Sequence, residues 1–99
     1  MLVITGTFRL AATALDAARP AMAAMVQASR MEAGCLHYSY GADVLDPGLI
    51  HVTEHWADRA SLEAHWAAAH IKAWRGAWAE LDIGERDLTL FDTDAGTPC

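Results

Sequence analysis

Basic residues are scarce in this chain. Seven Lys and Arg stand against thirteen Asp and Glu in 99 residues, a net charge of −6, and the isoelectric point is about 5.1. Such a balance suits neither phosphate backbones, which demand clustered cations, nor anionic membrane surfaces. No nucleic-acid or membrane partner is expected. Long apolar runs are also missing: nothing approaches the roughly 20 residues of a membrane span. The opening MLVITGTFRL has no basic stretch ahead of an apolar one and reads as a strand, not a secretory signal. Cysteine is limited to Cys35 and the terminal Cys99, with no CxxC or Cys/His zinc spacing. A terminal thiol makes a poor structural disulfide, so a reducing, cytoplasmic location is expected. HExxH, GxSxG and Gly-rich phosphate loops are absent, and asparagine does not occur at all.

The chain does have apolar surface to hide. Hydrophobic residues make up 54% of it, and the mean hydropathy is +0.12. A chain of this length is one domain's worth and buries only about 60–70% of its unfolded surface. A core and a ligand pocket are hard to fit together in one such protomer, so a partner subunit is expected.

Hydrophobic periodicity supplies the elements. Residues 2–10 alternate as a strand, with Ile4, Gly6, Phe8 and Leu10 on one side and Val3, Thr5, Thr7 and Arg9 on the other. Thr13 and Asp16 have capping-box spacing ahead of an Ala- and Met-rich helix over 14–31. Pro20 either kinks that helix or opens its main part, and Gly34 ends it. Residues 35–43 form a second strand, with Leu36, Tyr38 and Tyr40 on one face. Asp46-Pro47-Gly48 turns the chain into a third strand over 49–56, giving an antiparallel hairpin. Residues 59–80 are helical from an Asp58 N-cap, with a possible break in Trp66–His70. Residues 86–92 make a fourth strand. The order βαββαβ is the α+β, ferredoxin-like split pattern, with residues 1–93 as one domain and 94–99 as a short tail. The helices cover one sheet face. The other carries too much apolar surface for open water, so two sheets should pack face to face in a dimeric α/β barrel.

Chemistry-bearing residues crowd into the second half. Five histidines occur, at 37, 51, 55, 65 and 70, and four tryptophans fall between Trp56 and Trp78. Trp74 and Trp78 share a helix face with Ile71 and Arg75, and Leu62, His65, Trp66 and Ala69 form a second stripe. Such stripes are most often plain core; the functional alternative is an aromatic cage for a flat ligand. His65 and His70 are five apart, roughly 140° around one continuous helix, so only a helix break brings them together. A histidine titrates near working pH, which suits a general base. Glu54 shares a strand face with Val52 and Trp56 and needs a partner there, either an Arg such as Arg75 or Arg86 or a pocket histidine. Tyr38 or Tyr40 could hydrogen-bond a ligand oxygen.

Three ordered segments carry a family likeness. Val52-Thr-Glu54-His-Trp56, Ala60-Ser-Leu62-Glu-Ala-His65 and His70-Ile-Lys-Ala-Trp74 together resemble the antibiotic biosynthesis monooxygenase family, in particular its quinol monooxygenase branch. Gly34-Cys35-Leu-His-Tyr38 fits that family's E-x-G-C-x-x-Y entry to strand two. The likeness covers about residues 2–92. It implies a homodimer that oxygenates a small phenol or quinol with O₂ and needs no metal, flavin or haem. His65 and His70 would remove the proton, Tyr38, Trp66, Trp74 and Thr5 would bind the ring, and Arg75 would stabilise the anion. Glu54 and Trp56 would be structural. Ala69 stands where similar proteins often have Pro. A sister branch degrades haem with a strand-one Asn, which this chain lacks. The alternative function is a non-catalytic ligand-binding or stress-response module on the same dimer.

Overall fold

The computed structural model describes residues 1–99. Strand β1 (Leu2–Arg9) leads through a 3₁₀ turn (Ala12–Ala14) into α1 (Leu15–Arg30). Strands β2 (Cys35–Ala42) and β3 (Leu49–Trp56) follow as a hairpin. Two short helices, α2 (Arg59–Ala67) and α3 (Ala69–Ala77), precede β4 (Gly84–Asp92). The sheet order is β2-β3-β1-β4 with every neighbouring pair antiparallel, the split ferredoxin-like arrangement. Alternation along β1 puts Leu2, Ile4 and Phe8 under the helices. There they meet Met22 and Met25 of α1, Ile50, Val52 and Trp56 of β3, Leu62 of α2, and Ile71 and Trp74 of α3, all buried in one cluster.

Local details depart from expectation in two places. The Thr13–Asp16 capping box does not form. Ala14 is the N-cap of α1 and makes no side-chain bond, because the 3₁₀ turn, closed by the Ala14 N–H on the Ala11 carbonyl at 2.8 Å, feeds the helix directly. Pro20 does not open the main helix, which starts at Leu15 and runs through it. The missing N–H forfeits one bond to the carbonyl four residues back.

Two glycines are dictated by close approach. Gly6, with φ 153°, would place a Cβ 1.9 Å from the Asp87 carbonyl oxygen, so its missing side chain lets β4 lie against β1. Gly34, with φ 79°, would place one 2.1 Å from Ser61 Oγ. Its carbonyl accepts the Ala57 N–H at 2.8 Å. Gly34 thus ties the turn after α1 to the start of α2.

No element of the chain covers the second sheet face. It is less apolar than the composition suggests. Register places the cross-strand row Ser39, Thr53, Thr5 and Thr89 on it, beside a row of His37, His55, Val3 and Phe91. The His37 and His55 rings lie 5.1 Å apart. Most of the chain's apolar excess went instead into the helix side.

Candidate active site

The break between α2 and α3 creates the site. Asp58 caps α2 by accepting the Ser61 N–H at 2.8 Å, which sets the phase that buries Leu62 and His65. At Ala68 the backbone turns extended (ψ 147°), and α3 starts afresh. The Ala68 N–H closes on the His65 carbonyl at 3.0 Å, and its own carbonyl accepts the Lys72 N–H at 3.2 Å. No proline is needed. The redirection brings the His65 and His70 rings to 6.0 Å centroid to centroid.

Both imidazoles converge on Glu32, in the turn between α1 and β2 that Gly34 shapes. Glu32 Oε2 lies 2.5 Å from His65 Nδ1 and 3.2 Å from His70 Nε2. A carboxylate oxygen can only accept, so Nδ1 of His65 carries the proton and its Nε2 keeps a lone pair. That Nε2 faces Oε1 of Glu54 at 3.8 Å. Glu54 is buried and accepts the Trp56 indole N–H at 3.1 Å. Burial pushes the His65 pKa below the ordinary 6.5, against the pull of Glu32. Burial also pushes the Glu54 carboxyl above 4.5, against the Trp56 hydrogen bond. Near neutrality His65 is therefore an uncharged base.

Around this histidine is an aromatic cavity. Its wall includes Tyr38, Tyr40, Glu54, His65, Trp66, Trp74, Arg75, Trp78 and Arg86. The Trp74 indole N–H donates to the Tyr40 hydroxyl at 3.2 Å. The Tyr38 and Tyr40 rings stack at 5.8 Å. Burial raises both phenol pKa values, so both remain donors. The cavity holds only about 20 Å³, room for about one water. It shares Trp66, Ile71, Arg75 and Arg86 with an adjoining surface cleft of about 300 Å³, completed by Lys72. A larger hollow of about 360 Å³ lies between α1 and β2, but none of the histidines lines it.

Of the residues singled out by sequence, Tyr38, His65, Trp66, Trp74 and Arg75 meet at this cavity. His70 does not line it and joins through Glu32. Thr5 belongs to the opposite sheet face and is exposed, because strand alternation sends it away from Ile4. Glu54 lines the cavity, whereas Trp56 lies wholly buried behind it. Glu54 makes no ion pair with an arginine; its titratable neighbour within 4 Å is His65. Glu32 went unrecognised by sequence reasoning, although it holds the first position of the E-x-G-C element. The Glu32, His65 and His70 ligand atoms lie within 4.8 Å of one another, so this trio is also the set that could hold a divalent metal through two nitrogens and an oxygen.

The family model described as antibiotic biosynthesis monooxygenase matches residues 1–77. A solved antibiotic biosynthesis monooxygenase is 29% identical, with a TM-score of 0.80 over 98% of this chain and 100% of that one. A Deinococcus radiodurans structure named for the same family is 25% identical with a TM-score of 0.91, covering 100% of this chain and 98% of its own. A Pseudomonas aeruginosa structure is 30% identical with a TM-score of 0.77, covering 95% and 94%. No curated protein matches the sequence. With three quarters of its length matched by the family model and its whole fold shared with these structures, the chain belongs to the antibiotic biosynthesis monooxygenase family.

Proposed function

We propose that the protein is a monooxygenase that oxidises a small phenol or quinol with O₂, with His65 as general base and no cofactor taking part. The observation that carries this reading is the orientation of His65: Glu32 holds the proton on Nδ1, and the unprotonated Nε2 is turned toward Glu54 in the wall of an aromatic cavity. A phenol needs no other reductant. Once His65 has taken the hydroxyl proton, the phenolate gives up electrons to O₂ and a ring carbon–oxygen bond forms. The O–O bond then breaks as the ring C–H proton is lost. The second oxygen leaves with that proton and the one held by His65, so phenol and O₂ become quinone and water. The tasks left to the protein are to hold the ring, favour the anion and exclude water. Tyr38, Trp66 and Trp74 support the first, and Arg75, whose guanidinium sits 4.8 Å above the Trp78 ring, supports the second. The interior cavity is too small for a ring as it stands, so the ring enters from the cleft as Trp66, 42% exposed, moves aside. His70 would pass protons between Glu32 and solvent, being part exposed.

The working unit would be a homodimer, because the uncovered sheet face presents Val3 and Phe91 beside the paired histidines. Sedimentation at micromolar concentration tests this, and a stable 10.7 kDa species contradicts it. Oxygen uptake with a panel of hydroquinones and anthrones tests the activity. Uptake dependent on His65 supports it. Ligand-induced thermal stabilisation without uptake by any of them favours instead a binding module, the reading to which the nearly filled interior lends support.

A further inference from the structure

The chain's seven cations divide into two groups. Arg9 pairs with Asp46 and Glu85, Arg19 with Asp16, and Arg59 with Glu63. Arg30 donates to the Tyr38 carbonyl at 2.8 Å. The three that remain are Lys72, Arg75 and Arg86. None of them has a carboxylate within 4 Å or a side-chain hydrogen bond, and all three line the one cleft of about 300 Å³ over the cavity. In a chain with thirteen acidic residues this is a conspicuous omission. Burial and then the nearby Arg86 both disfavour the Arg75 charge; Glu54 pulls the other way, but it stands beyond ion-pair distance of both arginines. The indole Nε1 of Trp78, beneath the Arg75 guanidinium, is buried and lacks an acceptor. Three cations without an ion-pair partner around one opening, with an unsatisfied donor in the cavity wall beneath, call for an anion from outside. Trp66 and Ile71 supply a flat apolar surface at the same place.

We infer that this cleft binds the anionic group of an aromatic carboxylate, so that the substrate is an acidic aromatic compound and not a neutral quinol. Arg guanidinium forks suit a carboxylate's two oxygens, and Trp66 suits the ring. The inference rests on reading the cavity beneath as the substrate site, and it adds the substrate class.

Calorimetric titration of the full-length protein with 1-naphthoate, 1-naphthamide and acetate tests it. Naphthoate should bind at least about tenfold more tightly than naphthamide, as one charge-assisted contact warrants, and added salt should erode the difference. Arg86→Gln and Lys72→Gln, both at exposed positions, should each weaken naphthoate several-fold and leave naphthamide unchanged. Arg19→Gln in the other hollow should change neither. Equal binding of naphthoate and naphthamide overturns the inference, as does a preference that survives both cleft variants. Acetate binding as tightly as naphthoate overturns the aromatic part. The salt dependence needs no variant, so a variant that fails to fold does not spoil the test. Naphthoate binding with no oxygen uptake by any phenol counts against the monooxygenase reading alone. Uptake with neutral quinols and no preference for acidic ones counts against this inference alone.

Discussion

Nδ1 of His65 lies 2.5 Å from Oε2 of Glu32, a residue 33 positions away in the chain. That contact fixes which imidazole nitrogen keeps a lone pair, and therefore which side of the ring would react in the proposed chemistry. Glu32→Gln should leave the fold intact yet lower the rate of phenol oxidation by about tenfold or more, because an amide can also donate to Nδ1 and so permits the wrong tautomer. His65→Ala should cost about 10²–10⁴-fold, the usual share of a general base. His70→Ala should cost less than either, since its one side-chain hydrogen bond is to Glu32 and it does not line the cavity. Steady-state oxygen uptake ranks the three, and a His70 effect exceeding the His65 effect would reverse the assignment.

The acid limb of the rate profile should report His65. Its pKa is pushed below 6.5 by burial, so the base stays free at neutrality, and activity falls only as pH drops through that lowered value. A kcat/KM profile with its acid midpoint below the ordinary histidine range is expected. A midpoint above that range would mean that Glu32 outweighs desolvation.

Glu54 should make stability depend on pH in the opposite sense to most carboxylates. Its folded pKa is raised above 4.5 by burial. The folded state therefore binds the proton more tightly than the unfolded one. The stabilisation is fully present below 4.5 and is lost as pH rises through the folded value. Glu54→Gln carries no ionisable group, so its melting temperature relative to wild type should climb between about pH 4.5 and neutrality. Thermal melts at the two ends check this, and a difference that is flat or falls with pH contradicts it.

Zinc should inhibit. Zn²⁺ at Glu32, His65 and His70 would deprotonate Nδ1 and Nε2 as ligands and move the His65 proton to the nitrogen facing Glu54. Oxygen uptake should fall on adding Zn²⁺ and return with EDTA. Loss of activity in EDTA alone would instead mean that a metal serves the reaction.

Much of the fold was legible because its signals are local. The alternation in β1, the Asp46-Pro47-Gly48 turn and the Asp58 cap each act over a few residues, and βαββαβ follows from their order. The Thr13 capping box failed because a 3₁₀ turn, which leaves little trace in hydrophobic period, occupies its place. The site was legible where likeness to a family supplied His65, Tyr38 and Trp74. Glu32 was not, because its role depends on a contact across 33 residues and on a turn shaped by Gly34 against Ser61. Thr5 was misplaced for the converse reason: the alternation that identified β1 as a strand had already put it on the far side from Phe8. Arg19–Asp16 and Arg59–Glu63 are helix-spaced and local, but that Lys72, Arg75 and Arg86 share one cleft without an acidic partner shows only in three dimensions.

The most direct test is the fate of labelled oxygen. The wild-type protein would be supplied with ¹⁸O₂ and a phenol bearing a carboxylate, and the quinone analysed by mass spectrometry. One ¹⁸O atom per quinone is expected, formed far more slowly by His65→Ala. Unlabelled product, or labelled product formed equally fast by His65→Ala, would contradict oxygenation by a His65 base.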